Sequence, residues 1–216
     1  MKLYTKMSKI GKKLKIKIKN MNFKKIFLIL LFLIAQNSNS FSIEPDVFVQ
    51  STVNRASALL SKNITKLEKI NELKIIAKET VDIEGIGIYT IGNYRKDMNE
   101  NQLSKYSLLF EQYFLKSFSS RLAEYTNPEI SVNSKEVLSE NYTIVNSLLK
   151  GTSDRPEVKI DWRIYTKSQD SPLIRDLIIE GLSLARTQKE EFSSIIDSNS
   201  GDFEALFKTL EEFIKN

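Results

Sequence analysis

At residue 130 the spacing of the apolar residues changes. Before it they recur every three or four positions, from there to about residue 179 they alternate, and after residue 183 the wider spacing returns. A period near 3.6 puts one face of a helix against a core, whereas a period of two does the same for a strand. The order helices, strands, helices predicts an α+β fold, with helices packed on a small antiparallel sheet of about four strands.

The strand region reads as "NYTIVNSLLKG", "EVKIDWRIYTK" and "LIRDLIIEG", separated by the turn-like "GTSDRP" and "SQDSP". In the middle segment Val158, Ile160, Trp162 and Ile164 alternate with Lys159, Asp161, Arg163 and Tyr165, so one face is expected in the core and the other in water. Upstream, Val47, Val53, Ala56, Leu59 and Leu60, then Ile64, Leu67, Ile70, Leu73 and Ile76, predict the apolar faces of two helices. The best-specified helix starts at Asn99, a capping residue with Gln102 three positions on. Met98 and Leu103 stand at the two places of a hydrophobic staple. Leu103, Tyr106, Phe110, Phe114, Phe118, Leu122 and Tyr125 then follow at helical spacing, an aromatic-rich face. Two further helices close the chain, the last with Phe203, Leu206, Phe207, Leu210 and Phe213 on one side.

Charge divides the chain in two. Residues 1–25 hold ten of the 32 basic residues and no acid, so the net charge of +5 falls to −5 without them. That removes the basic-patch argument for a nucleic-acid partner. The apolar run "IFLILLFLIA" is ten residues long, about 15 Å as a helix against a hydrocarbon core of about 30 Å. Lysines before it and "QNSNSFS" after it fit a secretory signal cleaved after Ser40 or Ser42, starting from Met1 or Met21. Residues 1–42 are therefore expected to be removed, and residues 43–216 to form a single domain, monomeric and without an anchor. Cysteine is absent, which excludes a disulfide framework and a lipidated N-terminal cysteine.

Catalytic chemistry finds little to use. Without His or Cys there is no Ser-His dyad, no thiolate and no imidazole for a metal. Asp176 and Glu180 in "DLIIEG" lie four residues apart on a predicted strand, about 13 Å, beyond the roughly 5–9.5 Å of glycosidase carboxylate pairs. Asp176 is instead expected to pair with a nearby Arg or Lys, and Glu180 with Gly181 to turn the chain toward a helix opened by Ser183. In "VDIEGIGIYTIGNYRK" the glycine pattern of a dinucleotide loop fails, because Thr90 stands where the third glycine should be and no strand precedes. No cofactor, metal or catalytic residue is assigned.

"RDLIIEGLSLARTQKEEF", followed by a glycine-containing turn and "FEALFKTL", resembles the C-terminal signature of the MlaC family, also called the toluene-tolerance auxiliary family. "VDIEGIGIYTIGNYRKDMNENQLSKYSLLFEQYFLKSFSSRLAEY" is similar to that family's middle, with Ile91 and Gly92 standing for a Leu-Gly-like pair before a phenylalanine-rich helix. One departure is the tryptophan usual before the aspartate matched by Asp176, absent from "SPLIRD". The resemblance implies a periplasmic phospholipid carrier, its helices and small twisted antiparallel sheet enclosing an apolar cavity for the acyl chains, that shuttles lipid between an outer-membrane complex and an inner-membrane ABC lipid-transport complex, maintaining outer-membrane lipid asymmetry. The expected acyl-chain contacts are Phe110, Phe114 and Phe118 on the helix and Ile160, Trp162 and Ile164 on the middle strand. Two rivals stand beside it: a carrier of another lipid such as a hopanoid, and a small enzyme on a cone-shaped α+β fold using Asp161, Asp176 or a tyrosine.

Overall fold

The computed structural model describes residues 43–153, 155–166 and 172–216. The signal expected over residues 1–42, and most of the turn "SQDSP", lie outside the described residues. Helices α1 (Pro45–Leu60), α2 (Lys66–Thr80) and α3 (Ile83–Ile91) come first, then a 3-10 turn over Gly92–Lys96 and the long α4 (Glu100–Leu122). Strands β1 (Ile130–Ser139), β2 (Tyr142–Leu149), β3 (Val158–Tyr165), β4 (Leu173–Ile179) and β5 (Leu182–Ser183) follow, and α5 (Leu184–Ser198) and α6 (Phe203–Lys215) end the chain.

The strands pair antiparallel in sequence order as one open sheet. It has five strands where about four are expected, and the addition is the two-residue β5. Ile179 pairs with Leu182, so Glu180 and Gly181 form a two-residue turn, with φ of 50° and 83°. Positive φ at both positions is what a tight hairpin of this hand requires, and Gly181 meets it without strain. Glu180 also continues the β3 pairing: its N–H donates to the Lys159 carbonyl at 3.0 Å and its side chain accepts from the Lys159 N–H.

Helix starts follow the sequence closely. Asn99 Oδ1 accepts from the Gln102 N–H at 3.0 Å and Gln102 Oε1 accepts from the Asn99 N–H at 3.0 Å, the reciprocal box expected there. Thr65 and Glu68 build a second box at α2. At the other end of α5, Ser200 and Gly201 take φ of 58° and 85°, the Gly201 N–H donates to the Ile196 carbonyl, and Asp202 caps α6.

One main core cluster joins helices and sheet, and a satellite of Leu59, Leu60, Leu73 and Ile76 closes α1 on α2. Middle strand β3 alternates as expected, with Ile160, Trp162 and Ile164 buried. Two predicted helix faces need correction. Val47 is 58% exposed and Leu67 is 67% exposed, because both lie off the arcs defined by Val49 and Val53 in α1 and by Leu73, Ile76, Ala77 and Thr80 in α2. On α4, spacing by four advances the side chains about 40° per step around the helix. Tyr106 and Phe110 are therefore buried, Phe114 and Phe118 only partly, and Leu115 and Ser119 take the core side further on. Every buried side-chain nitrogen or oxygen among the described residues has a hydrogen-bond partner.

Candidate functional site

Strand β4 carries a bulge. Arg163 pairs with Asp176 and Ile164 with Ile174, so Arg175 is the extra residue and its side chain is re-aimed. Arg175 Nε donates to Asp82 Oδ2 at 2.6 Å, Nη1 donates to the Tyr142 hydroxyl at 2.6 Å, and the guanidinium lies 3.6 Å from the Tyr165 ring centroid. Partial burial works against its charge, but the bonds to Asp82 and Tyr142 outweigh that and hold its pKa above the ordinary arginine value. Asp82 also caps α3, its Oδ1 accepting from the Gly85 N–H at 2.9 Å.

Asp176 plays the matching part for α5. It is 3% exposed, and it accepts from the Ser183 hydroxyl at 2.6 Å and from the Ala185 N–H at 3.0 Å. The negative group thus sits at the start of a helix, where its field is favourable. Arg163 Nη1 stands 3.5 Å from its Oδ2, so the expected partnership of Asp176 with a nearby arginine is present. Both arginines line a cleft of about 360 Å³, together with Gly85, Ile86 and Tyr89 of α3, the tip of the β1–β2 hairpin (Leu138, Ser139, Tyr142) and Ala185. A second, polar groove of about 790 Å³ runs along α5 beside Tyr89.

The six residues expected to contact acyl chains all belong to the main core cluster or pack against it. Neither groove is lined by any of them. Trp162 lies opposite Val145 and Leu177 in the sheet, and its Nε1 donates to Ser147 Oγ at 2.8 Å while that hydroxyl donates to the Ile160 carbonyl. Phe110 meets Tyr106, Tyr113, Phe114 and Phe192 at ring-centroid distances of 5.8 to 6.4 Å, and Phe114 stacks on Phe118 at 5.5 Å. Beneath them the Tyr106 hydroxyl bonds Thr90 at 2.8 Å and the Gly87 carbonyl at 3.1 Å, and burial pushes that hydroxyl well above the usual tyrosine range.

The Asp82–Arg175–Tyr142–Tyr165 constellation escaped the sequence reading. Its members come from α3, β4, β2 and β3, and the Asp82 to Arg175 separation of 93 residues leaves no local spacing to detect. Among the described residues no three His, Cys, Asp or Glu side chains gather as a metal site, and no helix is long and apolar enough to cross a membrane.

The family model described as MlaC protein matches residues 49–212, three quarters of the chain and nearly all of its described part. The chain belongs to the MlaC family. A search of the curated proteins gives no match. Among solved structures, the fold is similar to that of a phospholipid-binding protein from Ralstonia solanacearum, solved in complex with a phospholipid, with a TM-score of 0.67 at 17% identity. The similarity covers 80% of this chain and 98% of that one. At that identity the likeness concerns the fold, and it agrees with the α+β arrangement of six helices and an open antiparallel sheet. The sequence signature of the MlaC family also gains a physical meaning here. The "RDLIIEG" segment supplies the bulge, the buried acid that serves α5 and the two-residue turn.

Proposed function

We propose that this protein is a phospholipid carrier that works in the periplasm after export on the signal of residues 1–42. Acyl chains are held among Phe110, Phe114, Phe118, Ile160, Trp162 and Ile164, and the protein passes lipid between the outer-membrane complex and the inner-membrane ABC lipid-transport complex as a monomer. The observation that carries this reading is a shared fold with a protein that holds a phospholipid, joined to membership of the MlaC family. The absence of His and Cys and the structural employment of Asp176 favour binding over turnover.

The energetics require enclosure. Burying a methylene is worth about 0.8 kcal/mol, so two chains of about 15 methylenes would lose on the order of 24 kcal/mol in bare water. A bilayer is equally dry, so exchange between membrane and carrier is nearly balanced, and direction comes from the partners. Ligand pockets commonly measure about 300–1,000 Å³, and the cleft of about 360 Å³ is at the small end. The acyl chains therefore need more room than the cleft offers, and parting the partly buried Phe114 and Phe118 from the core they pack against supplies it. The test replaces Phe114→Asp or Ile160→Asp and measures the phospholipid extracted from folded protein. A buried acid costs several kcal/mol or draws water in, so both variants should hold much less lipid than the parent. Undiminished lipid in both, with native circular dichroism, would refute this choice of faces.

A further inference from the structure

Two arginines from neighbouring strands line one cleft, and each is oriented by an aspartate that also serves a helix start. Arg175 is fixed by Asp82 at α3, and Arg163 stands beside Asp176 at α5. A guanidinium has five N–H donors, and the bonds to Asp82 and Tyr142 take two of them and set the plane of Arg175. Arg163 has 38% of its side chain exposed and meets its acid only at 3.5 Å. Arg163 and Arg175 are the charged side chains that line the cleft, and among the described residues no carboxylate lines it.

The floor of the cleft has the opposite character. Ile86 and Ala185 line it, both are 8% exposed, and both belong to the main core cluster with Phe110 and Trp162. A cationic rim over an apolar floor that continues into the core suits a molecule with an anionic group at one end and hydrocarbon at the other. Resting on the phospholipid-carrier reading, the geometry points to this cleft as the headgroup seat: Arg163 and Arg175 hold the phosphodiester, and the chains pass Ile86 and Ala185 into the core. Arginine suits this role because its planar fork matches phosphate oxygens in pairs.

The test incubates delipidated full-length mature protein with vesicles containing phosphatidylglycerol or diacylglycerol of the same acyl chains, and measures the lipid bound. Arg163→Gln removes one guanidinium charge and its fork of donors. Ser139→Glu sets a carboxylate at the exposed rim of the cleft without touching the core. The parent should take phosphatidylglycerol in preference to diacylglycerol. Each variant, once its melting temperature shows it folded, should bind phosphatidylglycerol about tenfold less well, through a lost hydrogen bond to a charged group in Arg163→Gln and through repulsion between carboxylate and phosphate in Ser139→Glu, with the loss confined to the phosphate-bearing lipid. Equal loss of both lipids, no loss in either variant, or a parent indifferent to the phosphate would overturn the headgroup seat and leave the carrier reading standing. A parent that takes up neither lipid would overturn both. Inorganic phosphate that raises the melting temperature of the parent yet does not compete with phosphatidylglycerol would assign the cleft to a free anion and overturn the seat.

Discussion

Gly87 is glycine because Phe110 occupies the place a side chain would take: a Cβ there would lie 2.8 Å from Phe110 Cδ1. Gly85 answers to the cap of its own helix, since a Cβ there would collide with the Asp82 carboxylate that the Arg175 guanidinium uses. These are the glycines whose spacing invites a nucleotide-loop reading, and they serve instead the close approach of α3 to α4 and the capping of α3 by Asp82. Gly87→Ala should destabilise the protein by about 1–3 kcal/mol through overpacking and the backbone or ring shift that relieves it. Urea unfolding followed by circular dichroism checks this, and an unchanged midpoint would show that α3 and α4 are not locked together at this contact. At the residue scale the sequence reading gives Asp176 a nearby Arg or Lys, and only the β3–β4 register names that partner as Arg163. The sequence reading did not reach Arg175, whose orientation depends on a one-residue bulge that leaves the hydrophobic pattern of β4 almost unchanged.

Elements were most legible where their ends are chemically marked. Asn99 and Gln102 specify the start of α4 through two backbone bonds, and the structure has both. Asn99→Ala should cost about 0.5–2 kcal/mol, as for other helix caps, measurable as a lowered unfolding midpoint with native lipid binding retained below it. A variant as stable as the parent would mean that packing alone sets the start of α4. Glu180 and Gly181 likewise mark the β4–β5 turn. Element faces were less legible, because period alone does not fix the arc that is buried. Val47 and Leu67 are periodic yet exposed, and the aromatic row on α4 winds from the core toward the surface between Tyr106 and Phe118. That winding follows from steps of four on a helix of 3.6 residues per turn. It also places Phe114 and Phe118 where they can yield to a ligand while Tyr106, bonded to Thr90 and Gly87, stays anchored.

For the whole molecule, the change of period at residue 130 was enough to order the layers, since helices and strands have no other way to bury these patterns together. The cleft was not legible, for it is assembled by α3, α5 and the β1–β2 tip, segments distant in sequence. Apolar faces joined by a core, a cleft of two arginines above it and membership of the MlaC family combine into one claim, that the molecule exists to hold a lipid. The most direct test is native mass spectrometry of the protein exported to a Gram-negative periplasm and purified without detergent. The account predicts a chain beginning near Phe41 or Ile43 that carries a phospholipid-sized mass, released as a phospholipid on collisional activation. A processed, folded chain that is always empty, or that releases a polycyclic lipid, would contradict it.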